Sequence, residues 1–249
     1  MSADTTPPVR TIAEEVGVFT TCLVDQLRPD IADAVLGLVR HHGYRPVRVR
    51  GGTCCGQPAW NTGLISAARR VARRTLRAVT DTTGPVVVPS GSCATMMHEF
   101  WPELFRNTRD EAAAIAAAQR VTELSAFLAP HAVARVGNGQ ARVVYHDSCH
   151  MLRELGIYDA PRRLLAADGI NVVDISGAEL CCGFGGTFSV KLPEISTAMA
   201  DEKLDAVVAA GVRRIVGCDY SCLLHLQGRA ERRGLDIEAR HLAEVLESA

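Results

Sequence analysis

The stretch VRVRGGTCCGQP (residues 47–58) has an echo in NVVDISGAELCCGFGG (residues 171–186). Each runs from an apolar-patterned segment into two adjacent cysteines followed by glycine. Working outward, 31 residues separate Cys22 from the Cys54-Cys55 pair, and 31 separate Cys149 from the Cys181-Cys182 pair. Downstream, each pair is followed by a Ser-Cys step, Ser92-Cys93 in the first half and Ser221-Cys222 in the second. Coincidences in one register identify an internal repeat, a single structural plan written twice.

The intervening segments repeat as well. VGVFTT (16–21) reads as a short buried strand leading to Cys22. Pro29 and Asp30 open a helix with apolar Ile31, Val35, Leu38 and Val39, closed by Gly43. Val47 and Val49 alternate with arginines, as in an edge strand. A helix over 63–79 follows, then the strand VVVP (86–89) before Cys93. The second half gives strand ARVVYH (141–146), a helix over 160–167 stopped by Gly169, strand NVVDI (171–175), a helix over 193–210, and strand RRIVG (213–217) before Cys218. LDIEAR (235–240) and HLAEVLES (241–248) form a last strand and helix, and an Ala-rich helix over 110–128 with the turn-prone VGNGQ (136–140) joins the halves. Strands alternating with helices predict an α/β fold of two tandem Rossmann-like βαβ half-repeats. Their sheets are mostly parallel and pseudo-two-fold related, the first repeat spanning 12–130 and the second 141–249. Nearly every cysteine then lies just beyond the carboxyl end of a strand, where open α/β sheets place their ligands.

A net charge of −1 gives no bulk attraction to nucleic acid or to a membrane surface. No apolar run approaches the roughly 18 residues of a membrane-spanning helix. The N-terminal MSADTTPPVR lacks the basic and apolar regions of a secretory leader and reads as a short disordered tail. The expectation is a cytoplasmic protein, where disulfides are disfavoured and nine cysteines call for metal or redox chemistry.

A buried thiol is an ordinary core residue, but that reading explains two CCG triplets in register poorly. Structural zinc prefers two close ligand pairs such as C-x2-C, and the chain has none. An iron–sulfur cluster accepts thiolates arriving from different loops and fits the spacing better. Cys149, Cys181, Cys182, Cys218 and Cys222 form the leading ligand set, one sulfur more than the corners of a cubane require. Cys22, Cys54, Cys55 and Cys93 form a second set, with Pro89 standing where the second half has Cys218. Gly183, Gly185 and Gly186 fall short of a dinucleotide fingerprint and read as letting backbone N–H groups approach cluster sulfurs. His146, Asp147 and His150, in YHDSCH, are candidate catalytic residues for proton delivery. Their plainer reading is as hydrogen-bonded or surface groups, as it is for His98 and His225. The arginines at 69, 70, 73, 74 and 77 mark either a solvated helix face or a dock for an acidic partner.

TTCLVDQLRP, GGTCCGQPAWNTG, SGSCATMM, EFWPELF, RVTELSAFL, YHDSCHMLRELGI, CCGFGGTFSVK and GCDYSCLLH span nearly the whole chain. Together they resemble the cysteine-rich CCG domain that occurs twice in the heterodisulfide reductase B subunit. The same domain occurs in the iron–sulfur subunits of glycolate oxidase and anaerobic glycerol-3-phosphate dehydrogenase. The nearest resemblance is to the lactate utilisation protein A family. It implies an iron–sulfur electron-transfer subunit acting with lactate utilisation proteins B and C to oxidise L-lactate to pyruvate, the B partner carrying ferredoxin-like motifs. It also implies a [4Fe-4S] cluster, cubane or non-cubane, on the five second-half cysteines, with a second cluster on the first-half four. The family's closing C-x2-C appears here as Cys218-x3-Cys222 and, in the first half, as Cys93 alone. A heterodisulfide-type thiol reductase and a zinc- or thiol-stabilised scaffold are the alternatives.

Overall fold

The computed structural model describes residues 14–132 and 141–247, so MSADTTPPVR and VGNGQ lie outside the described residues. Strands β1 (Glu15–Val18), β2 (Arg45–Arg48), β3 (Val86–Val88) and β4 (Val121–Glu123) form one sheet in the order β2-β1-β3-β4, every pair parallel. Strands β5 (Arg142–Tyr145), β6 (Asn171–Val172), β7 (Arg214–Gly217) and β8 (Glu238–His241) repeat it as β6-β5-β7-β8, again parallel. The inner strand β3 is three buried valines, as a parallel strand covered on both faces must be. β2 carries Pro46, a residue without an amide donor that only an edge tolerates.

The Ala-rich stretch departs from the sequence expectation of one helix over 110–128. Its helix runs Glu111–Ala118 and stops; β4 then pairs with β3, Val121 opposite Val86 and Glu123 opposite Val88, before a second helix Leu124–Leu128. Packing decides this: Val121 and Glu123 are buried at the sheet edge, and β4 supplies the partner that β8 supplies in the other half. The strand read over 171–175 shortens to Asn171–Val172.

Strand order reverses between β1 and β3, and between β5 and β7. Such a switch point opens a crevice outside the carboxyl ends of the strands. Cys22 follows β1 and Cys93 follows β3; Cys149 follows β5 and Cys222 follows β7. The two halves share one core, which contains Val16, Val18 and Val87 of the first sheet, Tyr145 and Val216 of the second, and Leu242 of the C-terminal helix.

A polar seam joins the halves near the pseudo-two-fold. Asp219, 1% exposed, accepts hydrogen bonds from Ser90 Oγ at 2.5 Å, Ser92 N at 3.1 Å and Ser92 Oγ at 2.7 Å. Buried His241 accepts from Ala243 N through Nδ1, which assigns the proton to Nε2; Nε2 then donates to Cys218 O at 2.9 Å and lies 3.2 Å from Pro89 O.

Asp219→Ala removes the acceptor of Ser92 N and of the Ser90 and Ser92 hydroxyls, which then have only each other. It should lower the unfolding free energy by roughly 1.5–3 kcal/mol in urea titrations, whereas exposed Ser66→Ala changes it by less than about 0.5 kcal/mol. Equal effects would contradict the seam. Burial holds the His241 imidazole below its ordinary range. The unfolded chain therefore takes up a proton near pH 6.5 that the folded chain refuses, and stability falls as pH drops through that value. The loss approaches about 1.4 kcal/mol per pH unit below it, and His241→Gln should show a shallower decline between pH 7 and 5 in the same titrations.

Candidate metal centre

The two CCG loops are built alike because each meets a helix in the same way. Gly56 and Gly183 adopt φ of +97° and +89°, a left-handed conformation costly for any residue with a Cβ. A Cβ on Gly56 would lie 3.1 Å from Ala68 O, and one on Gly183 would lie 2.4 Å from Ser196 O. The turn thus seats the loop directly on the helix Ile65–Thr80 or Pro193–Ala209. It also aims the glycine N–H back at the first cysteine of the pair: Gly56 N to Cys54 Sγ and Gly183 N to Cys181 Sγ are both 3.4 Å. Phe184 N approaches Cys182 Sγ at 3.5 Å.

Each loop is pinned one helical stretch further on. Thr75 Oγ1 donates to Cys54 O at 2.9 Å and accepts from Thr53 N at 3.0 Å. At the equivalent place buried Lys203 donates from Nζ to Gly177 O at 3.0 Å and Ala178 O at 2.9 Å. Trp101, fully buried, adds a bond from Nε1 to Cys55 O at 2.9 Å.

Eight thiols meet on the lining of one pocket: Cys22, Cys54, Cys55 and Cys93 from the first half, and Cys149, Cys181, Cys182 and Cys222 from the second. All nine cysteines of the chain are free thiols. Within the first quartet, Cys55 Sγ lies 3.4 Å from Cys93 Sγ. Hydrogen bonds from Cys22 and Cys55 hold the Cys54 thiol far below its ordinary range, at about 3, while Cys22 and Cys55 are pushed up as donors to it. Cys181 is held down in the same way by Cys149 and Cys182, and both of those are raised. In each half the first cysteine of the CCG pair is thus the thiol most readily deprotonated. Such a set exchanges protons for a metal, since metal ligation requires deprotonated thiols.

The sequence expectations separate at this site. The first-half quartet, read as the secondary set, stands on the pocket equally with the second. Cys218 is set apart as a fully buried core thiol that receives a hydrogen bond from Tyr145 Oη at 3.4 Å; it does not line the pocket. The five-sulfur set of the second half thus becomes four in the pocket. The residue matching Ser90 across the repeat is Asp219, which leaves Cys218 in the inward register of Pro89. Gly185 and Gly186 line the pocket beside the second CCG turn.

Among the candidate catalytic residues, His150 lines the pocket with Nδ1 3.6 Å from Cys149 Sγ. Asp147 is buried in a two-pronged pair with Arg162, at 2.8 and 2.7 Å, and the guanidinium sits 3.6 Å over the Tyr158 ring. His146 is 2% exposed, and its nitrogen lies within 4.8 Å of Cys182 Sγ and Cys222 Sγ. His225 supports the loop through Ser196 Oγ at 3.2 Å, which itself donates to Gly183 O at 2.7 Å. His98 bonds Ala118 O, away from the thiols. Three arginines of the basic stripe serve the fold: Arg69 on Leu104 O, Arg73 on Asp110 and Arg74 on Gly51 O.

Gly183→Ala must force a Cβ into the helix backbone from a left-handed turn, which costs roughly 1–2 kcal/mol for the conformation alone. The variant should bind less metal than the parent after identical anaerobic purification and melt at a lower temperature, as metal analysis and calorimetry will read. Full metal loading with an unchanged melt would contradict the role given to the turn.

The CCG cysteine-rich domain model matches residues 16–98 and 143–227. Lactate utilization protein A of Exiguobacterium sp. is 40% identical over 238 residues, covering 93% of this chain and 96% of that protein. Its namesake in Geobacillus kaustophilus is 41% identical over 236 residues, covering 93% and 98%. A crystal structure of a hypothetical protein from Helicobacter pylori superposes with a TM-score of 0.66 at 6% identity, over 98% of this chain and 49% of that one. This chain spans about half of that protein, and the likeness is one of fold. Among the described residues no helix is long and apolar enough to cross a membrane. With two CCG domains and this identity along nearly its whole length, the chain belongs to the lactate utilization protein A family.

Proposed function

We propose that the protein is the iron–sulfur electron-transfer subunit of a cytoplasmic complex that oxidises L-lactate to pyruvate. One observation carries this reading: two equivalent cysteine quartets, far apart in sequence, converge on a single pocket. The family name supplies the substrate. Two CCG repeats, 12–130 and 141–249, each contribute one quartet. Cys149, Cys181, Cys182 and Cys222 hold one [4Fe-4S] centre; Cys22, Cys54, Cys55 and Cys93 hold a second. Such centres supply one-electron steps. Around them the protein contributes N–H groups at Cys54, Cys181 and Cys182 that stabilise negative charge on sulfur. Lys203 is buried near Cys182 and Cys222; burial holds its amine below the ordinary range, and negative charge on those sulfurs draws it back toward the cationic form. Removing hydride from lactate calls for a flavin or nicotinamide, and no motif for either stands in this chain. That step falls to partners, which we take to be lactate utilisation proteins B and C, as the sequence resemblance implies.

Anaerobically purified protein should contain about four irons and four acid-labile sulfides for each occupied quartet, with broad visible absorption. Cys55→Ser should remove the share of the first quartet and Cys182→Ser that of the second. A strain without the gene should fail to grow on L-lactate and still grow on pyruvate. Stoichiometric zinc without sulfide would overturn the cluster in favour of a scaffold. Iron and sulfide with unimpaired growth on lactate would overturn the substrate in favour of a thiol–disulfide reductase.

A further inference from the structure

The duplicated halves are not chemically equal around their thiols. Shifting the first quartet onto the second, Cys22 onto Cys149, brings Phe19 onto His146. The backbone agrees: Phe19 N donates to Val87 O at 2.9 Å and His146 N to Val216 O at 2.7 Å, the same step from one strand to its central neighbour. The Phe19 ring fills an apolar slot beside Gly52 and Thr75, in the cluster that contains Cys55. His146 occupies the corresponding slot in the second half at 2% exposure, and neither Nδ1 nor Nε2 has a hydrogen-bond partner.

A buried imidazole with both nitrogens unpaired is an unusual feature, because buried polar atoms are almost always satisfied. Proton relay does not account for it: a relay needs a partner within hydrogen-bond reach to pass the proton on, and His146 has none among the described residues and does not line the pocket. What it does have is position. One of its nitrogens lies within 4.8 Å of both Cys182 Sγ and Cys222 Sγ, and those sulfurs lie equally close to each other, so the imidazole stands where it can be a fifth protein donor to the centre that the cysteines hold.

We infer that His146 is a metal ligand, giving an imidazole nitrogen to the centre held by Cys182 and Cys222, so that the two halves bind chemically different centres. This rests on the cluster reading above. The first half, with Phe19 in that slot, binds through sulfur alone. Imidazole ligation alters the electron richness of a cluster, and the duplication thus yields two unlike redox sites from one plan.

Anaerobically purified, dithionite-reduced protein, grown with ¹⁴N- or ¹⁵N-histidine, should show a strongly coupled histidine nitrogen in pulsed electron paramagnetic resonance. The coupling should change with the isotope. It should persist in Cys55→Ser, vanish in Cys182→Ser, and vanish in His146→Phe, the variant that copies the first half. His146→Gln offers a second removal of the ring should the phenylalanine fold poorly. Iron-containing protein without a coupled histidine nitrogen, or with a coupling that survives both substitutions at 146, overturns the inference and leaves the cluster reading standing. Protein devoid of iron overturns both.

Discussion

The structure depends on the close seating of a left-handed CCG turn on a helix backbone. Only a glycine allows the loop to approach Ala68 O or Ser196 O so nearly, and that approach turns two consecutive thiols toward the crevice at a sheet's switch point. There they meet one thiol from the helix after the first strand and one from the helix after the third. No single segment could gather four sulfurs. The parallel sheet gathers them because all of its loops leave by the same edge.

Duplication then brings the two edges together. Asp219 reaches across to Ser90 and Ser92, and His241 reaches across toward Pro89, so the segments bearing Cys93 and Cys222 are locked to one another through buried polar contacts. Cys218 and Tyr145 belong to the shared core beneath, joined by a hydrogen bond from the Tyr145 hydroxyl to the thiol. The second half has taken on more polar chemistry than the first. Lys203 stands for Thr75, Ser196 for Ala68, Asp219 for Ser90 and His146 for Phe19. A cluster of several thiolates carries negative charge, and a buried cation with added hydrogen bonds lessens the penalty of holding it inside the protein.

Much of this was legible in the sequence. The repeated interval between Cys22 and Cys54 and between Cys149 and Cys181 revealed the duplication, and strand-helix alternation revealed parallel sheets. The short strand β4 escaped because three residues after an alanine run carry no periodic signal; only pairing with β3 makes them a strand. Counting sulfurs groups Cys218 with the other four, whereas the structure buries it off the pocket lining; Pro89 at the same register is the sign in the sequence that this position faces a core. Asp147 reads as catalytic beside two histidines, and its pairing with Arg162, 15 residues away on the helix Asp159–Ala167, is beyond any local pattern. That both quartets face one pocket depends on how the sheets pack, which spacing alone does not encode.

The most direct measurement is anomalous scattering at the iron absorption edge from crystals grown without oxygen. The account predicts iron peaks at both quartets, within bonding distance of Cys54 and Cys55 on one side and Cys181 and Cys182 on the other. A map with no iron at either quartet, and the thiols paired as disulfides or closed around zinc, would contradict it.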